Sequence, residues 1–459
     1  MAQAVSGSCA VLEIEPQPFW RRRSDAVDGD GAGLEVLTEK LAIATGLGKP
    51  MVVHSVGCAL ADPGPFDPEQ LAALDTTFAL VKPAWWSDHA SFTSISTGVG
   101  TGKDNRNLGF LLPPVGDFAS VAAITDRIKF LQDRFGLPFA FETGVNYFRP
   151  QPGEMPDGEF WGALAERADC GILFDIHNVW CNALNGRQAL EDAFAALPVE
   201  RIWEVHVAGG QDHRGYRLDS HSGEPEPELL ALLAGIVPRL SALKAIFFEM
   251  LPDYAAVNGM TGASLTALLG RLDTIWQTRG CAVAVAAPAS PARPSPARPA
   301  IPGWPTAVAA GLDRALADDP APEDDPACMV YADLILLARR GAIVDCLPLT
   351  ARYIWLAEGE AGMDALLRRY FRSVPPEPFM AEEAQRFARF AACELDLAHL
   401  ESLTAIELAA QRAAITGSVQ EVPLACDPAQ LIGAVRAGRL PTGLIAIPMI
   451  AEIQPPTMQ

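Results

Sequence analysis

The chain has 459 residues, 35 Lys and Arg against 56 Asp and Glu, and a formal net charge of −21. That length exceeds what one hydrophobic core usually serves, so two domains are expected. The acidic balance argues against a nucleic-acid backbone or an anionic membrane as partner. No apolar run reaches the roughly 20 residues that span a bilayer; Leu444–Ala451 is short and carries Pro448. Met1–Trp20 has no basic residue and no continuous apolar stretch, so no secretory signal is expected. Nine Cys lie singly without a CxxC pair, which reads as free, mostly buried thiols in a reducing cytoplasm.

Short apolar runs alternate with helical patterns through the first part of the chain. The expected strands are Val11–Glu15, Met51–His54, Phe78–Lys82, Pro138–Glu142, Gly171–Asp175, Ile202–His206 and Ala245–Glu249, with Cys281–Ala286 a candidate eighth. Helical stretches are expected near 34–46, 67–75, 118–135, 157–168, 187–196, 226–240 and 262–278. Asp67-Pro68, Asp157 and Pro225 with Glu226 and Glu228 supply starting signals. About eight βα units over this length favour an α/β fold of the (β/α)8 TIM type. No GxGxxG follows the first run, which weakens a dinucleotide-binding reading.

Residues 287–305 are rich in Pro, Ala and Ser, and Asp318–Pro326 is acidic. Such composition predicts a tether, dividing the chain into a barrel at 1–285, a linker at 286–326 and a smaller domain at 327–459. Helical periodicity in Met329–Arg340, Thr350–Glu358, Met363–Val374, Ala381–Leu397 and Leu400–Ala413 makes that second domain mainly helical, with a mixed tail from Val422.

Five expected strands end in His54, Glu142, Asp175, His206 and Glu249. In a (β/α)8 barrel those ends meet at one mouth, where sites sit. Trp86-Ser87-Asp88-His89 and Asp219-Ser220-His221 add further donors. A single such residue is more often structural, but five buried ionisable strand ends are costly unless paired or bound to a cation. Imidazole and carboxylate without thiolate suit Fe(II), Mn(II) or Zn(II), and eight or more donors suit two or three metals. Either His177 or Asn178 could turn into the mouth; spacing leaves that open, and Cys58 is a nearby thiol. His213, in a polar loop, and His399 read as solvated. Thr97–Lys103 reads as a flexible active-site loop. There is no GxSxG, P-loop or HExxH motif.

The order of these motifs resembles a known family. His54, Ser-Asp-His89, Phe-Glu142, Leu-Phe-Asp175-Ile-His-Asn178, Glu204-Val-His206-Val-Ala-Gly209, Leu-Asp219-Ser-His221-Ser-Gly and Phe-Glu249 are similar to the multinuclear non-haem iron-dependent oxidases, or DUF692 family, typified by the methanobactin-biosynthesis oxidase. The resemblance covers roughly residues 10–280. It implies a TIM-type barrel holding two or three Fe, as mixed Fe(II)/Fe(III), and O2-dependent modification of a ribosomally synthesised precursor peptide, often at Cys. It implies His54, His89, Glu142, Asp175, His206, Asp219, His221 and Glu249 as metal ligands, with Asn178 a further candidate and Glu142 and Asp175 as catalytic positions. The sequence departs from the family pattern at Glu142-Thr143, where Glu-Asn is usual, and at Glu249-Met-Leu, where Glu-Arg-Asp is usual. Leu367–Pro376 and Leu403–Ala409 weakly resemble the helical leader-binding partners of the family, so a fused or separate partner is implied. An alternative is a xylose-isomerase-like metalloenzyme, a sugar isomerase or phosphodiesterase; a third is a metal-storing scaffold without turnover.

Overall fold

A computed structural model describes residues 7, 9–22, 33–96, 105–251, 257–281, 301 and 303–455. The chain forms two compact units. One takes in the chain up to Asn105 together with Leu111–Ala307, the other Arg106–Phe110 together with the chain from Val308 on.

The first unit is built on seven parallel strands: β1 (Leu12–Ile14), β2 (Met51–Ser55), β3 (Trp86–His89), β4 (Phe139–Glu142), β5 (Gly171–Asp175), β6 (Ile202–Ala208) and β7 (Ala245–Glu249). They neighbour one another in chain order, as successive βα units dictate. The sheet curls on itself: Glu13 of β1 lies 3.1 Å from His206 of β6, and Val52, Trp85, Ala245 and Phe247 pack together in its interior. This is the α/β barrel architecture that the alternation of runs predicts. Helices such as Phe118–Phe135, capped by Asp117 and ended by Gly136 at φ 62°, connect the strands.

Strand parity fixes what lines the interior. Trp85, Ser87 and His89 share a face, as do Ala140 and Glu142, Leu173 and Asp175, Glu204 and His206, and Phe247 and Glu249. Register then sets the height of each ending: His89 is level with Glu142, His206 with Asp175, and Ala208 with Glu249. A β-bulge between Ile202 and Glu204 interrupts the β5–β6 ladder, the kind of device that re-aims side chains beside a site.

One expected strand is corrected. Phe78–Lys82 is the end of helix Pro68–Val81, which Asp67 caps and Lys82 terminates at φ 52°. Leu74 and Phe78, one turn apart, are buried on its inner face, so the helical period outweighs the short apolar run. The third strand is instead Trp86–His89. Helix Ile176–Leu184 directly follows β5 and was not anticipated. Within the stretch read as a tether, Trp304–Leu316 is helical, with Val308, Leu312 and Ala315 buried at helical spacing. The candidate eighth strand past Cys281, the Gly-rich loop at 97–103 and most of 286–302 lie outside the described residues. Cys58, Cys170, Cys181, Cys328 and Cys426 are buried thiols.

The second unit is mainly helical: Ala327–Cys346, Pro348–Ser373, Met380–Glu394, Leu400–Thr416 and Pro428–Arg436, with an antiparallel strand pair of Gln420–Leu424 and Met449–Ile453. Gly359, at φ 71°, breaks Pro348–Ser373 into two helical pieces. Tyr353, Leu366, Tyr370, Phe387, Leu403 and Leu431 are among its core residues. Among the described residues no helix is long and apolar enough to cross a membrane.

Candidate metal centre

The strand endings meet. His54 and His89 each lie 3.1 Å from Glu142 Oε2, through Nε2 and Nδ1 respectively. Across the mouth, His206 Nδ1 is 3.0 Å from Glu249 Oε1. His221 Nε2 is 2.9 Å from Asp219 Oδ1 and 3.3 Å from Glu249 Oε2. Three overlapping groups of donor atoms converge, each within 4.8 Å: His54, His89 and Glu142; Glu142, Asp175 and His206; Asp175, His221 and Glu249. Glu142, Asp175 and His206 are almost wholly buried, at 2%, 0% and 0% exposure.

The orientation of these atoms is more telling than their proximity. Glu142 Oε2, Asp175 Oδ2, Asn178 Oδ1, His206 Nδ1 and His221 Nε2 are buried and make no hydrogen bond. Several sit at ion-pair distance from one another yet are not aligned to donate and accept. Buried polar atoms are ordinarily satisfied, and a set that converges without pairing is what ligands around a cation look like. The chemistry agrees: imidazole and carboxylate donors without thiolate suit borderline to hard divalent ions. The residues present therefore fit a multinuclear metal centre.

The remaining atoms of the same side chains are held. His54 Nδ1 bonds Ser87 Oγ at 2.9 Å, Asp175 Oδ1 caps Asn178 N–H at 2.8 Å, and Asn178 Nδ2 donates to Glu142 Oε1 at 3.0 Å. Asn178 thus steers Glu142 while its own carbonyl oxygen is buried without a hydrogen bond. His177 is buried and bonds Asp219 Oδ1 at 3.1 Å; its place is behind Asp219, and it joins none of the convergent groups. Asp219 likewise stands between His177 and His221 rather than in a convergent group. His221 occupies the left-handed region at φ 47°, strain that clusters at functional sites. The Cys58 thiol is buried, and its backbone N–H donates to Asp88 Oδ2 at 2.9 Å. His213 is exposed and His399 half-buried.

Electrostatics report the same demand for positive charge. Burial, ahead of neighbouring charges, pushes Glu142 up to about 7 and Asp175 well above the usual carboxylate range, with Asp219 and Glu142 adding to the rise. Burial also lifts Asp88 to about 6 and lowers His54 and His89. For Asp219 and Glu249 burial acts upward too, but the facing imidazoles outweigh it and hold both low.

Sequence reasoning missed two carboxylates, half-buried Glu13 and buried Glu204, which face His206 from β1 and β6. The signal was parity: Glu204 stands two residues before His206 on one strand face, and Glu13 interrupts an otherwise apolar run.

Residues 36–261 match the profile of the RiPP precursor modification enzymes MbnB/TglH/ChrH. The chain belongs to this family. A UPF0276 protein of Anaeromyxobacter sp. (strain Fw109-5) is 31% identical over 197 residues, covering 43% of this chain and 67% of that protein. One of Chromobacterium violaceum is 28% identical over 191 residues, covering 42% and 66%. The match thus spans about two thirds of these relatives' length. A D-psicose 3-epimerase from Clostridium cellulolyticum H10 aligns over 60% of this chain and 91% of its own, at 12% identity and a TM-score of 0.37. That likeness is too slight to add to the topology above or to bear on function.

Proposed function

We propose that this chain is a multinuclear non-haem iron-dependent oxidase that modifies a ribosomally synthesised precursor peptide at Cys, using O2, in the cytoplasm. The observation that carries the reading is the ring of buried, converging and unbonded donors in a member of a peptide-modifying family. His54, His89 and Glu142 would hold one iron, and Asp175, His221 and Glu249 a second. Glu142, Asp175 and His206, which fall between the two groups, would bridge them or hold a third. Bound iron would supply one-electron chemistry with O2 and an open position for a thiolate.

The protein's own contribution is charge and position. Carboxylates that are costly to ionise in a metal-free interior become counter-charges for the cations. Ser87 fixes the His54 ring and Asn178 fixes Glu142, so the donors are aimed before metal arrives. We also propose that the helical domain presents the peptide, joined to the barrel through the Pro-rich stretch that precedes the helix Trp304–Leu316. A cleft of about 1100 Å³ in the helical unit, lined by Arg352, Trp355, Met363 and Leu367, supports a binding role.

The test uses anaerobically purified full-length chain with Cys-containing peptides drawn from short reading frames beside its gene. Fe-dependent O2 consumption coupled to a mass change in one peptide is expected. Stoichiometric Zn, no Fe, and no activity on adding Fe(II) would overturn the oxidase and point to the isomerase or phosphodiesterase class.

A further inference from the structure

Beneath the unpaired donors lies a second group of buried charges with the opposite character. His206 Nε2, on the far side of the ring from the mouth, bonds Glu13 Oε2 at 3.1 Å and Glu204 Oε1 at 3.4 Å. Trp85 Nε1 donates to Glu204 Oε2 at 2.7 Å. Lys244 lies over the Trp203 and Trp85 rings, 3.6 and 5.2 Å from their centroids. Glu13, Glu204 and His206 could by spacing alone hold a metal. Yet no atom of Glu13 or Glu204 is among the unsatisfied buried atoms, whereas His206 Nδ1 is. Within this group the atom left without a bond is His206 Nδ1, which faces Glu249 Oε1 at 3.0 Å.

We infer that Glu13 and Glu204 are positioning residues that hold His206 as the Nε2–H form, with Nδ1 directed at the metal centre. The inference rests on the metal-centre reading for its consequence, though not for its geometry. Ionised carboxylates only accept hydrogen bonds, so a ring nitrogen that faces two of them carries hydrogen. Metal-binding imidazoles are characteristically oriented by such a bond from the other nitrogen, and loss of the partner typically costs 10–100-fold in metal affinity. The bulge before Glu204 and the alternation of β6 deliver Glu204 and His206 to one face. The first strand, at the other end of the sheet's strand order, supplies Glu13. Trp85 holds the outer oxygen of Glu204 so that the other points at the ring.

The experiment is long-range proton–nitrogen NMR of full-length chain labelled at histidine nitrogen, metal-free and with Zn(II), together with Zn(II) titration. Wild type should show His206 with a protonated Nε2 in both states and a metal-shifted Nδ1 with Zn(II). Glu13→Gln keeps an accepting oxygen and should preserve both the tautomer and the affinity. The Glu13→Ala, Glu204→Ala double variant should mix the tautomers and weaken Zn(II) binding roughly 10–100-fold. A Zn(II)-bound wild type whose His206 Nε2 carries no hydrogen, or a double variant with unchanged tautomer and affinity, would overturn the inference. If the double variant does not fold, the wild-type tautomer alone decides. If wild type shows the Nε2–H form but binds neither Zn(II) nor Fe(II), the positioning geometry stands and the metal-centre reading is what fails.

Discussion

The barrel mouth and the core of the helical unit both bury charge, and they resolve it differently. In the helical unit Arg339 donates to Glu383 at 2.6 Å and to the carbonyls of Phe371 and Val374. Glu407 accepts from Leu349 N, Thr350 N and Thr350 Oγ1, capping the start of the helix at Pro348. Each of these charges is answered by the chain itself. At the mouth, Glu142, Asp175 and Asn178 leave oxygens, and His206 and His221 leave nitrogens, aimed inward without a bond. The contrast shows why burial alone does not mark a site: the informative feature is a buried charge whose partner the chain does not provide.

The comparison can be broken in stages. The largest effect should come from Arg339→Met, which strands Glu383 in the core; denaturant unfolding of the helical unit should register a loss of about 3–5 kcal/mol, with metal content unchanged. Adding Glu383→Leu should recover much of it. Removing metal is the counterpart in the barrel. A ligand at 1,000 times its Kd contributes about 4 kcal/mol, so chelation should lower hydrogen-exchange protection in β2, β4 and β5 while leaving the helical unit's amides unchanged.

Glu142→Gln comes next. It preserves shape and the bond from Asn178 but removes the charge shared by two donor groups; at least one metal should be lost by element analysis, with far-ultraviolet circular dichroism unaltered. An unchanged metal count would exclude bridging. A smaller loss is expected from Asp219→Ala with His221→Ala, because this pair sits in a loop and Asp219 belongs to no convergent group. The most weakly held metal should leave and the others remain; loss of all metal would contradict independent sites.

The subtlest expectation concerns acid. In the metal-free chain Glu142 titrates near 7, above its ordinary value of 4.5. A raised folded value means the native state holds the proton longer, so its contribution is full below about 4.5 and fades as pH rises through about 7. Metal-free wild type should therefore lose barrel stability relative to metal-free Glu142→Gln across that window, and metal should abolish the difference.

Much of this was legible in the residues because barrel topology turns strand ends into neighbours. His54, Glu142, Asp175, His206 and Glu249 could be brought together from five apolar runs without knowing any contact. What escaped notice obeyed other rules. Phe78–Lys82 looked like a strand because short apolar runs do not declare their period, and the correct strand, Trp86–His89, is only four residues long. Trp304–Leu316 hid behind the Pro-rich composition that precedes it. Glu13 and Glu204 lie mid-strand, where a carboxylate gives no sign of its partner until the sheet is closed. The division of labour between Asn178 and His177 depended on helix Ile176–Leu184 beginning immediately after Asp175, which spacing alone left open.

The central claim is that the unbonded donors surround metal ions. It is tested most directly by anomalous diffraction at the iron edge from crystals of the full-length chain grown without oxygen. The account predicts at least two peaks, one within bonding distance of His54, His89 and Glu142 and another within bonding distance of Asp175, His221 and Glu249. A mouth with no anomalous peak, its carboxylates and imidazoles bonded to ordered water instead, would contradict it.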